Sequence, residues 1–157
     1  MDFKELFENF AKPGRVIWIG VRPERRSPMA ELPEVVAFGN KGLQGDRHQK
    51  SGSARQVTLI QQEHLSSIAS FLGKQHIDPR LTRRNIVVAG INLHSLKGKR
   101  FRIGEAVLEY SGDCHPCSRM EENLGHGGYN AMRGLGGITA KIIETGLIKL
   151  NDTLEPL

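Results

Sequence analysis

The chain has 157 residues and a mass of 17.4 kDa, a size at which one core forms and a second separate core is not expected. Hydrophobic residues make up 38% of the chain and charged residues 25%, which excludes a disordered, collagen-like or disulfide-stapled protein. No window approaches the roughly 18 consecutive apolar residues of a membrane-spanning helix. The acidic N-terminus does not resemble a secretory signal or transit peptide, and we therefore expect a cytoplasmic protein.

The charge balance favours anionic partners. The chain carries 22 Lys and Arg against 17 Asp and Glu, a net charge of +5. Nucleic acid is not expected, because the basic residues are scattered and only one Trp, two Tyr and six Phe are available for stacking on bases. A phosphorylated small molecule fits the same charge.

The first half of the chain predicts a short helix, then strands separated by loops. Apolar residues at helical spacing over Asp2–Phe10 predict an amphipathic helix. The β-branched runs Arg15–Val21 and Val35–Phe38 predict strands. Residues 22–33, rich in proline and charge, predict an exposed loop. Residues 39–56, rich in glycine and polar side chains, predict a long loop of the kind that is often functional.

The middle of the chain adds strands, a helix and a hairpin. The runs Gln56–Ile60 and Asn85–Ala89 predict strands. Apolar spacing over residues 62–73, ending at a glycine, predicts a helix. Two β-type runs about a glycine predict a hairpin at Phe101–Tyr110.

The region after the cysteines is predicted to contain a second helix. Ile138, Ile142 and Ile143 fall on one side of a helix over residues 134–146, and residues 147–150 predict a final strand. Short strands with two or three non-alternating helices favour a mainly β or α+β fold, a barrel with a few peripheral helices. A doubly wound fold is not expected, because no GxGxxG follows a strand.

The segment Ser111–Arg119 crowds two thiols, an imidazole and a guanidinium directly after a predicted strand. A cysteine acts as a nucleophile or metal ligand in its thiolate form, which His115 and Arg119 would favour if they face it. Other interpretations of Cys114 and Cys117 stay open: small buried apolar side chains, a CxxC redox couple, or half of a zinc site. No second CxxC or HxxxH supplies the remaining zinc ligands.

Five motifs occur in order along the chain. They are GLQGDRH (Gly42–His48), RQVTLIQ (Arg55–Gln61), RRNIVV (Arg83–Val88), FRIGEAVLE (Phe101–Glu109) and CHPC (Cys114–Cys117). Together they resemble the MOSC domain, the family named after the C-terminal domain of molybdenum cofactor sulfurases. Five ordered motifs are far more specific than any one of them.

The resemblance covers about residues 15–152 and implies a β-barrel-based fold that binds a molybdopterin-type molybdenum cofactor. We expect residues 1–14 to form an N-terminal helical extension and residues 15–157 to form the domain. Cys117, the second cysteine of CHPC, matches the family's functional cysteine, which ligates the metal or carries sulfur. The resemblance also implies an association with pyridoxal phosphate binding.

Basic and amide side chains of these motifs are expected to bind the anionic cofactor. Arg83 and Asn85 match the RxN segment that the resemblance assigns to the phosphate end. The other candidates are Arg47, His48, Arg55, Arg119 and Arg133. As alternatives, Arg83 flanks a strand in solvent, and residues 46–48 only order their loop through turn hydrogen bonds. Gly42 and Gly45 are expected to supply positive φ.

Two classes of function remain open at this stage. The leading hypothesis is a molybdenum cofactor-binding protein, which acts with a partner in the reduction of N-hydroxylated compounds or as a sulfur or cofactor carrier. No sulfurase, iron–sulfur or flavin segment is found in the sequence, so a redox partner or cysteine desulfurase is expected. The alternative is a non-catalytic module whose basic glycine-rich loop holds a phosphorylated ligand or nucleic acid, with salt-sensitive binding that depends little on either cysteine.

Overall fold

The computed structural model describes residues 1–157 and is built mainly from strands. The strands are β1 (Gly14–Val21), β2 (Ala30–Glu31), β3 (Glu34–Phe38), β4 (Gly42–Leu43), β5 (Val57–Gln61), β6 (Ile86–Ala89), β7 (Arg100–Ile103), β8 (Ala106–Asp113), β9 (Ile138–Glu144), β10 (Gly146–Lys149) and β11 (Thr153–Pro156). The helices are α1 (Phe3–Phe7), α2 (Gln62–Phe71), α3 (Ser118–Leu124) and α4 (Gly128–Met132), with 3₁₀ turns at Pro79–Thr82 and Leu93–Leu96.

Seven of these strands close into a barrel in the order β1, β6, β5, β9, β8, β7, β11. Strand β11 returns to β1, where Leu154 lies opposite Gly14. All neighbours run antiparallel except β5 and β6, which are parallel and joined by a crossover containing α2. The predicted fold class, a mainly β or α+β barrel with a few peripheral helices, is confirmed.

The core has two parts because the barrel strands bury both of their faces. A cluster of 22 buried residues is built from strand residues such as Leu59 and Ile86. A second cluster of 12 packs α2, α3 and α4 against the outside of β1, β5 and β6, and it includes Ile60 and Val87. Neighbouring residues of a strand therefore belong to different clusters, as the two-residue period of a strand requires.

A small sheet of β10, β3 and β4 joins the barrel cluster through Val35 and Ile148. It fixes the point from which the glycine-rich loop departs, because both residues of β4 are buried. Helix α1 has no buried residue. No helix of the protein combines the length and apolar character needed to cross a bilayer.

The structure confirms the predicted strands β1, β3, β5 and β6, the hairpin of β7 and β8, and helix α2. The helix predicted over residues 134–146 is wrong: strand β9 occupies Ile138–Glu144. Ile142 lies four positions after Ile138, and that even spacing places them on one face of a strand as well as on one face of a helix. The strand predicted at 147–150 corresponds to β10 and is followed by β11.

Replacement of two neighbouring isoleucines distinguishes strand β9 from a helix. Ile142 is 1% exposed in the barrel cluster, and we expect Ile142→Ala to lower the free energy of unfolding by about 2–5 kcal/mol. Ile143 is partly exposed and lies on the opposite face, so Ile143→Ala should cost less than half as much. Urea unfolding measures both variants, and equal losses would contradict the strand register.

Candidate functional site

One cleft of the protein is lined almost entirely by basic side chains, and we call it the arginine cleft. Its lining residues are Arg22, Arg25, Arg26, Arg47, His48, Arg55, Arg83, Arg84, Cys117, Arg119 and Met120. The chain has 13 arginines and nine lysines, yet eight arginines and no lysine line this cleft. Guanidinium groups bind phosphate and carboxylate through two parallel hydrogen bonds, which an ammonium group does not match.

Four segments meet at one end of the barrel to form the arginine cleft. They are the loop after β1, the glycine-rich loop between β4 and β5, the residues just before β6, and the beginning of α3. The end of β1 pairs with the beginning of β6, since Ile19 lies opposite Ile86. The segments are distant in sequence, and the pairing of β6 with both β1 and β5 brings three of them together.

A buried ion pair forms the floor of the arginine cleft. The side chains of Arg22 and Asp46 are 6% and 0% exposed, and their closest charged atoms are 3.3 Å apart. The Asp46 carboxylate also accepts hydrogen bonds from the backbone N–H groups of Arg22, at 2.7 Å, and His48, at 3.1 Å. A buried ion pair is tolerated when hydrogen bonds satisfy both partners, as they do here.

Asn85 completes this floor and does not line the arginine cleft. Its Nδ2 donates to the carbonyl of Gly20 at 3.1 Å and to Asp46 at 3.3 Å. Its Oδ1 accepts from Arg22 Nη2 at 3.3 Å and from the Thr58 N–H at 3.1 Å. The side chain is 0% exposed, so its amide holds together the segments beneath the cleft.

Arg84 anchors the cysteine segment from below. Only 3% of Arg84 is exposed, and its guanidinium donates to the carbonyls of Thr82 at 2.9 Å, Gly136 at 2.8 Å and Cys114 at 3.1 Å. Burial lowers the pKa of Arg84, and the carbonyl oxygens satisfy its donors. Its charge is therefore committed to holding the CHPC turn.

Five arginines of the arginine cleft have no side-chain hydrogen bond within the protein: Arg25, Arg26, Arg47, Arg55 and Arg119. Arg83 donates one bond, to the Ser27 carbonyl at 2.5 Å. None of these six guanidiniums lies within 4 Å of a carboxylate. The cleft thus presents several unsatisfied cationic donors to a ligand.

The positive charges that line the arginine cleft lower the pKa of two of its side chains. Burial lowers the pKa of Arg83, and the positive charges of Arg22, Arg119 and Arg47 lower it further. Burial likewise lowers the pKa of His48, with Arg22 and Arg47 adding to the effect. Its surroundings therefore favour the neutral form of the His48 imidazole.

The two cysteines lie in different environments. Cys117 is exposed in the arginine cleft, at the position just before α3. Cys114 is 2% exposed and borders a second cleft on the other side of the CHPC turn, together with Asp113 and His115. No group of three or more His, Cys, Asp or Glu side chains is arranged to hold a metal ion, so the zinc-site interpretation gains no further ligands.

The structure brings together six of the eight residues predicted as site residues: Arg47, His48, Arg55, Arg83, Cys117 and Arg119. Asn85 lies beneath the cleft, and Arg133 is exposed at the end of α4 outside it. Sequence reasoning missed Arg22, Arg25, Arg26, Arg84 and Met120. The RPERR run after β1 carried a signal for three of these, because it is the densest cluster of arginines in the chain.

The two loop glycines act differently from each other. Gly45 has φ of +82°, the left-handed conformation predicted for it. Gly42 has no positive φ; a Cβ there would lie 2.3 Å from the His48 carbonyl oxygen. The absence of a side chain at Gly42 lets the backbone that carries His48 pass against β4.

Comparison with known proteins agrees with this architecture. The family model of the MOSC domain matches residues 36–155. Similar solved structures are the YuaD protein of Bacillus subtilis (TM-score 0.80, 20% identity, covering 92% of this chain and 96% of that one) and YiiM from Geobacillus stearothermophilus (0.74, 16%, 92% and 75%). YiiM from Escherichia coli is also similar (0.68, 20%, 91% and 69%). These TM-scores and coverages show a shared fold, and at such low identity they show the fold alone. No curated protein matches the chain.

Removal of the charge of Asp46 should destabilise the protein strongly. Asp46→Asn leaves Arg22 buried without its counter-charge, and we expect the free energy of unfolding to fall by about 3–5 kcal/mol. Glu109→Gln is the matched control, because it breaks the exposed Arg100–Glu109 pair and should cost about 1 kcal/mol or less. Similar losses in the two variants, measured by urea unfolding, would contradict the proposed floor of the cleft.

Stability should fall as the pH falls below 6.5. Burial lowers the pKa of both His48 and His64 from 6.5, so the folded chain binds fewer protons than the unfolded chain below that pH. The contribution of the two neutral histidines to the free energy of unfolding is fully present above pH 6.5. It is lost as the pH falls towards their pKa values in the folded chain. The double variant His48→Gln/His64→Gln should flatten the decline in Tm between pH 6.5 and about 5. An unchanged pH profile would contradict this assignment.

Proposed function

This chain belongs to the MOSC domain family, and from that membership we propose that its arginine cleft binds a molybdopterin-type molybdenum cofactor with Cys117 as a ligand of the metal. The observation that carries the proposal is the presence of an exposed thiol among six unpaired guanidiniums in one cleft. The two features match the two chemically different ends of such a cofactor.

The arginines fit the anionic end. A pterin dithiolene with a terminal phosphate needs charge-assisted donors, and Arg83 and Arg119 lie close enough together for one charge to lower the pKa of the other. Planar guanidiniums bind phosphate with defined geometry. Asn85 and Asp46 support this part of the cleft from below through Arg22.

The thiol fits the metal end. A soft thiolate suits a sulfur-rich metal centre, and Cys117 is exposed to the cleft, whereas Cys114 is buried. Arg84 fixes the carbonyl groups of Cys114 and His115, at 3.1 and 3.4 Å. The turn that presents Cys117 is therefore held in place before any ligand binds.

From the family resemblance we further propose that the chain acts with a redox partner in the reduction of an N-hydroxylated compound. When bound, the cofactor supplies a metal that exchanges electrons with the substrate. Conversion of N–OH to N–H consumes two electrons and two protons and releases water, and a redox partner supplies the electrons. His48 lies in the cleft, and because burial and the neighbouring arginines lower its pKa, its neutral imidazole offers a ligand one N–H donor and one acceptor nitrogen.

A non-catalytic nucleic-acid-binding module is less well supported. Apart from His48, no ring-bearing side chain lines the arginine cleft, so bases would have no surface for stacking. The basic residues also converge on one cleft that contains a thiol, an arrangement that backbone binding to a polynucleotide does not require.

Replacement of each cysteine in turn tests the proposal. Cys117→Ala removes the proposed ligand, and we expect the variant, purified from cells that make the cofactor, to lose at least about nine-tenths of the molybdenum found in the parent. Cys114→Ala is the matched control and should retain most of it, because Cys114 does not reach the cleft. Elemental analysis per mole of protein gives the readout.

The outcomes separate the candidate functions. Equal molybdenum loss in both variants would remove the distinction between the cysteines. Retention of molybdenum by Cys117→Ala would contradict its assignment as the ligand. Salt-sensitive binding of single-stranded DNA that persists in Cys117→Ala, with no molybdenum in the parent, would favour the non-catalytic module.

A further inference from the structure

The arginine cleft holds more unpaired cations than one phosphate group can use. A phosphate monoester carries a charge of about −1.5 to −2 near neutral pH, which two or three guanidiniums satisfy through paired hydrogen bonds. Six arginines of the cleft have no carboxylate within 4 Å: Arg25, Arg26, Arg47, Arg55, Arg83 and Arg119. About half of them remain without a counter-charge when a single phosphate is bound.

Such a surplus is costly in the ligand-free protein. Like charges held together repel one another, and the effect is visible here because Arg22, Arg119 and Arg47 all oppose the charge on Arg83. An acidic side chain in contact with these arginines would offset the repulsion between them. The only carboxylate in hydrogen-bonding contact with a lining arginine is Asp46, which is fully committed to Arg22, His48 and Asn85.

The six unpaired arginines differ in exposure, since two are partly buried and four are exposed. Arg83 and Arg119 are partly buried and form the inner group, and the charge of Arg119 lowers the pKa of Arg83. Arg25 and Arg26 lie together in the loop after β1 and are exposed, as are Arg47 and Arg55. That loop is tied to the inner group by the hydrogen bond from Arg83 to the Ser27 carbonyl. The outer pair is therefore held at the mouth of the same cleft.

We propose that the arginine cleft binds two phosphate groups at once, one at an inner position formed by Arg83 and Arg119 and a second at an outer position formed by Arg25 and Arg26. The inference rests on the proposed function, since the inner group is the phosphate of the cofactor. The outer phosphate belongs either to an extended cofactor with two linked phosphates or to a phosphorylated substrate. Both sources bring the same chemistry to the same two side chains.

Binding of simple anions tests the two positions without any cofactor. Full-length protein from cells that do not make the cofactor is titrated by calorimetry with inorganic phosphate and with pyrophosphate. Pyrophosphate should bind at least about tenfold more tightly, because it engages additional charge-assisted hydrogen bonds. The double variant Arg25→Gln/Arg26→Gln should lose that advantage while its affinity for phosphate stays within about twofold of the parent.

Arg83→Gln and Arg102→Gln serve as comparison variants. Arg83→Gln removes an inner donor, so binding of both anions should weaken. Arg102 is exposed on β7 and lies outside the cleft, so Arg102→Gln removes one positive charge without affecting either position. Equal weakening by Arg102→Gln and by the outer double variant would show a general charge effect and overturn the proposal.

The ratio of phosphorus to molybdenum in the loaded protein distinguishes the two sources. A ratio of two, with no further phosphate uptake, identifies an extended cofactor that fills both positions. A ratio of one, with one more phosphate bound in the parent but not in the outer double variant, identifies a phosphorylated substrate. A ratio of one with no further uptake would overturn the proposal.

These measurements also separate this inference from the proposed function. Preferential pyrophosphate binding that depends on Arg25 and Arg26, in a protein that never acquires molybdenum, would sustain the two anion positions and contradict the cofactor. Molybdenum that depends on Cys117, with no preference for pyrophosphate, would sustain the cofactor and contradict the outer position. Tighter binding of a short single-stranded DNA than of pyrophosphate would overturn the small-molecule assignment.

Discussion

The carboxylate of Asp46 is the group on which the arginine cleft depends. It receives hydrogen bonds from the end of β1 through Arg22, from its own loop through the His48 N–H, and from the beginning of β6 through Asn85. Without this acceptor, the Arg22 guanidinium would be buried with too few partners. One buried negative charge therefore ties the glycine-rich loop to the paired ends of β1 and β6.

The eight arginines of the cleft divide into two kinds that are identical in chemistry and different in surroundings. Arg22 and Arg84 are buried, and carboxylate, amide and carbonyl oxygens inside the protein satisfy their donors. The other six have few or no internal partners. The first kind stabilises the cleft and the CHPC turn, and the second kind leaves its donors free for a ligand. An arginine count alone does not reveal this division.

The positions of individual strands could be predicted from patterns in the sequence, whereas contacts across the barrel could not. Alternation and β-branching located β1, β5 and β6, but the even spacing of Ile138 and Ile142 fits a helix and a strand equally well, and β9 was missed for that reason. Asn85 was chosen as a ligand-binding residue, yet its partners Gly20, Asp46 and Thr58 come from three other segments. Arg22, Arg25 and Arg26 line the cleft because β1 ends beside β6. No pattern in the local sequence predicts that pairing.

The pairing of β1 with β11 sets the order of events during synthesis of the protein. Gly14 leaves the ribosome long before its partner Leu154, because β11 is the last of the barrel strands in chain order. Until then the nascent chain carries an open sheet whose first barrel strand has one unpaired edge, a state prone to association with other chains. Contacts between residues so far apart in sequence also slow folding. The barrel that supports the arginine cleft therefore closes only after β11 has been synthesised, later than every residue that lines the cleft.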